Sequence, residues 1–184
     1  VLELLPQTHE EIVAAVEGEI ADPATFFAET EAAGVSDLLS NPQTLELIVK
    51  AWRGANKPQN KYQAYDFGVQ QLIREMNPIH AGHVPATINP QALRAAAAAT
   101  ASTVLLSNIS GVSRNEAAAT DEYVHISTVP HPKLPEMEES VERRVFESPD
   151  VHQFELAHRT IAEFLAAEDL VERVRQGLPI DRVF

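Results

Sequence analysis

The chain has 184 residues, a formal net charge of −13, 45% hydrophobic and 22% charged residues, and no cysteine. That balance predicts a globular protein and disfavours sequence-independent binding to DNA or RNA, which draws its affinity from Lys and Arg. The missing cysteines exclude disulfides, a thiolate nucleophile and cysteine-ligated zinc, and fit a cytoplasmic protein. Aromatics are only 6% and alanine is abundant, so the fold class expected is mainly α. No apolar run approaches the roughly 18 residues of a membrane span. Val1-Leu2-Glu3-Leu4-Leu5 lacks the basic start of a signal peptide, and no initiator Met precedes it. The chain reads as a piece of something longer.

Helix starts punctuate the first half. Thr8-His9-Glu10-Glu11 has capping-box spacing, with Ile12, Val13 and Val16 following as an apolar stripe. Asp22-Pro23 is an acidic cap with Pro at the first helical position, and Gly34 should end that helix. Asn41-Pro42 repeats the device and opens a helix to about Arg53, with Leu45, Ile48, Val49 and Trp52 at helical spacing. After a turn from Gly54 to Pro58, another helix spans about Asn60 to Met76, with Tyr65, Val69, Leu72 and Ile73 inward.

Asn77 to Pro85 has no period and reads as a linker or loop. Asn89-Pro90 starts the alanine-rich helix that contains Leu93 to Leu106. Ser110 to Arg114 reads as a turn, Asn115 to Thr120 as a short helix and His125 to Val129 as a strand. The segment Pro130 to Pro135 should not be helical, and a charged helix over Glu136 to Arg144 should follow it. Val145-Phe146 and Val151 to Leu156 read as a hairpin turning at Glu147-Ser148-Pro149-Asp150. A helix from about His158 to Arg175 closes the pattern. Helices followed by a short hairpin give the winged-helix order. The organisation expected is a helical domain over 1–78, a linker over 79–90, a winged-helix-like domain over 91–157, and a C-terminal helical segment over 158–184 that starts the next helical region.

None of the seven glycines opens a G-x-x-x-x-G-K-[ST] loop, and neither G-x-G-x-x-G nor G-x-S-x-G occurs. No catalytic residues are assigned, and the chain should not hydrolyse a nucleoside triphosphate alone. His80, His83, His125 and His131 lack carboxylate or thiolate partners at fixed offsets, so no metal site is assigned. Ser107, Ser110 and Ser113 lie near a helix end without the strained elbow a serine hydrolase needs. The stretch Val112 to Thr120, taken as the recognition-helix candidate, has one Arg and one Glu, which is poor for a DNA groove.

Two motifs remain. Leu38-Leu39-Ser40-Asn41-Pro42 precedes an apolar helix. Leu156-Ala157-His158-Arg159-Thr160-Ile161-Ala162-Glu163-Phe164-Leu165-Ala166-Ala167 comes later. Together they resemble the region after the P-loop core in NACHT-type ATPases, among the signal-transduction ATPases with numerous domains (STAND). Leu4-Leu5-Pro6 before the Thr8 box resembles the family's entry into its helical domain. Ala162 stands where the family often has Gln, and Leu156 where Phe is frequent.

The resemblance implies a regulatory segment of an ADP/ATP switch in bacterial-looking defence signalling. It implies that Pro42 lies against adenine, that His158 approaches the β-phosphate of ADP, and that Arg159 is an optional phosphate-side partner. Asn41 would cap its helix. ATP or ADP would bind in the full-length parent only, none being expected on this fragment. The partner implied is the P-loop core of the same polypeptide, with room for oligomerisation of the full-length protein and with neither nucleic acid nor membrane. The alternative reading is an independent, acidic helical module that binds another protein.

Overall fold

Caps set where the helices begin. The computed structural model describes residues 7–53, 57–76, 88–130, 133–179 and 181. The Leu4-Leu5-Pro6 motif, residues 54–56 of the expected turn, the 79–87 part of the expected linker, His80, His83 and His131 lie outside the described residues. Those described form seven α-helices and four strands, a mainly α fold with a short hairpin. No helix among them is long and apolar enough to cross a membrane.

The chain divides into two compact units, 1–68 and 69–184. In the first lie α1 (His9–Glu17), α2 (Pro23–Ala32), a 3-10 turn (Ser36–Ser40) and α3 (Pro42–Arg53). The helix α4 (Lys61–Arg74) runs across the division. Thr8 Oγ1 accepts from Glu11 N–H at 3.3 Å while the Glu11 carboxylate accepts from Thr8 N–H at 2.8 Å, so the capping box closes. Asp22 Oδ1 accepts from Thr25 N–H at 3.1 Å. Gly34 has φ +66°, the left-handed conformation in which a helix ends cheaply only at glycine.

The periodic residues Ile12, Val16, Phe26, Leu45, Ile48, Val49 and Trp52 close into one buried cluster with Val35, Leu39 and Ala64. Phe26 meets Trp52 edge to face at 5.2 Å, and the indole N–H donates to Glu29 at 3.1 Å. Each such buried side chain contributes about 1.5–3 kcal/mol, which offsets the entropy of ordering these short helices.

The second unit is built on α5 (Pro90–Ser107), whose first turn is capped by Asn89 Oδ1 accepting from Gln91 N–H at 2.9 Å. Leu93, Ala96 to Ser102 and Val104 are all buried, so α5 is covered on nearly every side. Alanine lets α7 (Arg159–Arg175) approach closely, packing Ile161, Ala162, Leu165 and Ala166 inward. Polar pairs fix the register of that contact. Arg94 grips Glu168 through Nε at 2.9 Å and Nη2 at 2.7 Å, and Ser102 Oγ bonds Asp169, which also holds Arg173 at 2.6 Å.

Between these helices come β1 (Gly111–Ser113), a 3-10 turn (Glu116–Ala118), β2 (Tyr123–His125), a second 3-10 turn (Ile126–Thr128), α6 (Leu134–Ser140), β3 (Phe146–Asp150) and β4 (Gln153–Leu156). The sheet order is β2-β1-β4-β3, with β1 and β2 parallel and the other pairs antiparallel. The β3–β4 hairpin thus sits at one edge and its second strand pairs with β1.

Local readings shift. Gly111 to Ser113 is a strand and not a turn, and 116–118 is a single 3-10 turn. The strand expected at His125 to Val129 ends at His125, where the imidazole caps the next turn through Ser127 N–H. Pro135 lies inside the first turn of α6, where its missing N–H costs nothing, so that helix starts earlier than expected and ends at Ser140. The hairpin turns at Val151-His152, and Pro149 falls at the register shift between Glu147 and Asp150 on the edge strand, where no ladder donor is needed.

Candidate functional site

His158 stands where β4 passes into α7. It is the N-cap residue, in extended conformation (φ −143°, ψ 124°), and its carbonyl accepts from Ala162 N–H at 2.9 Å. Its imidazole makes no capping hydrogen bond to α7, unlike the side chains of Thr8, Asp22 and Asn89 on their helices. The ring is half-buried, with Nδ1 screened from solvent. One residue before it, Ala157 N–H donates to Val145 O at 3.0 Å, which pins the junction to the start of the hairpin.

Arg159 is the next residue. Its side chain is 86% exposed and its Nε lies 2.9 Å from Glu163 Oε1. His158 and Arg159 are therefore neighbours with different surroundings, one half-buried and one in solvent. A helix N-terminus bearing an imidazole and a guanidinium offers donors and partial positive charge, a combination suited to an anion. Glu163 tempers the Arg159 charge.

Pro42 lies in the first unit as the first residue of α3, and it is half-buried. Asn41 Oδ1 accepts from Thr44 N–H at 3.4 Å, so Asn41 does cap α3. The buried Thr44 returns its hydroxyl to Asn41 O at 3.1 Å and to Leu38 O. These bonds tie the Leu38-Leu39-Ser40-Asn41-Pro42 motif into one rigid entry, leaving part of the Pro42 ring at the surface.

The other candidates take structural places. His125 Nδ1 faces Ser127 Oγ at 2.7 Å and accepts from Ser127 N–H, so Nε2 carries the proton donated to Arg114 O at 3.1 Å. Ser113 is buried and donates to Asn115 O at 2.9 Å. No group of three or more His, Cys, Asp or Glu that could hold a metal ion occurs among the described residues. The helix before the hairpin is α6, not 112–120, and it exposes Glu138 and contains Glu136 and Glu139.

Sequence reasoning missed a set of charged contacts under α6. Glu142 and Glu139 are buried, at 2% and 4% exposure, and pair with Arg114 and Arg143. Arg114 also lies over the Phe154 ring at 5.1 Å. Tyr123 hydrogen-bonds the Glu155 carboxylate, which with burial and the nearby charges of Glu155 and Glu122 pushes its phenol up to about 12. In a sequence these residues resemble any solvated charged stretch. Glu139–Arg143 is a local i,i+4 pair, whereas Tyr123–Glu155 and Arg114–Glu142 join residues far apart in the chain.

The chain matches no protein-family model, no curated protein and no solved structure.

Proposed function

We propose that this chain is the regulatory, nucleotide-sensing segment of a NACHT-type STAND ATPase, and that catalysis resides in a P-loop core elsewhere in the same cytoplasmic polypeptide. The observation that carries the reading is the setting of His158. It occupies the cap position of a long helix, its imidazole makes no capping hydrogen bond, and it sits half-buried at the junction of the hairpin and α7. A residue chosen only to start a helix would be Ser, Thr, Asp or Asn. An imidazole there gains charge readily beside an anion and donates to phosphate oxygen.

The donors present fit an ADP phosphate, with His158 as the principal contact and Arg159 as an auxiliary one. ADP supplies the anionic group that His158 recognises. Pro42 offers an apolar ring to the base, held by the Asn41 and Thr44 bonds. Sensing then works by differential contact. His158 ties the winged-helix-like unit to the diphosphate state, and exchange for ATP removes that tie and shifts the population toward an open state. A place in bacterial defence signalling rests on the same resemblance. The helix α6 exposes Glu138 and contains no Lys or Arg, which supports a protein-facing role over a DNA-facing one, since a groove-reading helix needs positive charge.

The polypeptide upstream tests this reading at once. A P-loop and an acidic Mg²⁺-binding strand are expected within about 200 residues, the size of one ATPase core. A complete parent polypeptide without them would refute the reading and leave the acidic interaction module. On the parent protein, His158→Ala is expected to raise basal signalling.

A further inference from the structure

The end of α4 is fastened to the base of the hairpin. Glu75 continues the helix, its N–H donating to Gln71 O at 3.1 Å. Met76 and Arg143 then form an isolated antiparallel bridge. Arg144 N–H donates to Glu75 O at 3.0 Å, and Arg144 Nη1 lies 2.5 Å from Glu75 Oε2. The second carboxylate oxygen of Glu75 accepts from the Gln71 side chain, so both oxygens are held. The ion pair is partly shielded, at 37% and 28% exposure, and is backed by main-chain bonds on either side.

This clasp reaches His158 in two steps. Val145, next to Arg144, gives its carbonyl to Ala157 N–H at 3.0 Å, and Ala157 precedes His158. His158 O in turn accepts from Ala162 N–H at 2.9 Å. We infer that Arg144 is a positioning residue for His158, and that the Glu75–Arg144 clasp transmits movement of the α4 end to the hairpin–α7 junction. The inference rests on His158 being the sensing residue, but the linkage itself is a property of the chain alone. Its physical basis is a contiguous series of hydrogen bonds: Arg144 N–H to Glu75 O, Ala157 N–H to Val145 O and Ala162 N–H to His158 O. Displacing the 75–76 backbone must either drag 143–145 with it or break the clasp outright.

Amide hydrogen exchange on the 184-residue chain without nucleotide tests it. In Arg144→Ala the Ala157 and Ala162 amides should exchange about tenfold faster, with Thr100 in the middle of α5 unchanged. Arg144→Lys keeps the charge and can still reach one Glu75 oxygen, so it should give a smaller acceleration at the same two amides. It also decides the matter should Arg144→Ala fail to fold. The charge swap Glu75→Arg with Arg144→Glu should restore slow exchange. Unchanged Ala157 and Ala162 rates, or equal acceleration throughout α5, would overturn the linkage and reduce the pair to general stabilisation. Because nucleotide is absent from the measurement, a positive result stands even if His158 proves to bind no phosphate.

Discussion

Gly111→Ala should unfold the sheet from its centre. A Cβ at Gly111 would lie 2.2 Å from Phe154 O and 3.0 Å from its carbonyl carbon, both rigid backbone atoms. Relief requires β1 and β4 to separate by roughly 1 Å, in a core packed to crystal-like density. Val112 and Phe154 are register partners on these strands, and both are fully buried. Losing two or three ladder bonds costs about 1 kcal/mol each, and the loosened packing costs about 1–3 kcal/mol. Alanine returns about 0.4–1 kcal/mol through the unfolded chain. The net loss is about 3 kcal/mol, a fall of roughly 10 °C in the melting temperature of a unit this size. Urea unfolding followed by NMR at the Val112 and Phe154 amides measures it. A change below about 1 kcal/mol, with both strands still paired, would refute the reasoning.

Gly68→Ala presents the opposite case. Its Cβ would meet only the Leu47 side chain, Cδ1 at 3.0 Å and Cβ at 3.3 Å, inside helix α4. The helix gains about 1 kcal/mol from alanine and Leu47 loses a similar amount by shifting, so thermal unfolding should move by less than about 1 kcal/mol. The first unit should also weaken in acid. Glu11 is held below 4.5 mainly by the Thr8 backbone hydrogen bond, and Asp22 and Asp37 below 3.8 mainly by the side chains of Thr25 and Lys61. The unfolded chain therefore binds these protons first. The stabilisation is complete above those ordinary values and is lost as pH falls through the lowered folded values. Trp52 fluorescence during denaturant titrations from pH 6 to 2 reads the loss, and Asp37→Asn should flatten part of it.

Helix starts were legible because their physics is local. Thr8, Asp22, Asn41 and Asn89 each accept a backbone N–H within three residues, and a sequence displays that spacing openly. The hairpin and α7 were legible from alternation and period. The strand β1 was not, because three residues around a glycine look like a turn. Its identity comes from partners at 123–125 and 153–154, far along the chain. Pro135 misled for a different reason: proline forbids a helix interior but suits a first turn. The buried charges Glu139, Glu142 and Arg143 read as a solvated face until the sheet placed Arg114 beside Glu142. Of the motif residues, Asn41 takes its expected cap role. Pro42 and His158 belong to separate compact units, and each is fixed within its own.

The central claim is that His158 reads the phosphate of a bound nucleotide. Its most direct test is the ADP dissociation constant of the full-length polypeptide, measured by isothermal titration for the wild type and for His158→Ala. A hydrogen bond to a charged group is worth about 1.5–3 kcal/mol, so the account predicts roughly ten- to hundredfold weaker ADP binding with ATP binding little changed. Equal ADP affinity in the two proteins would contradict it.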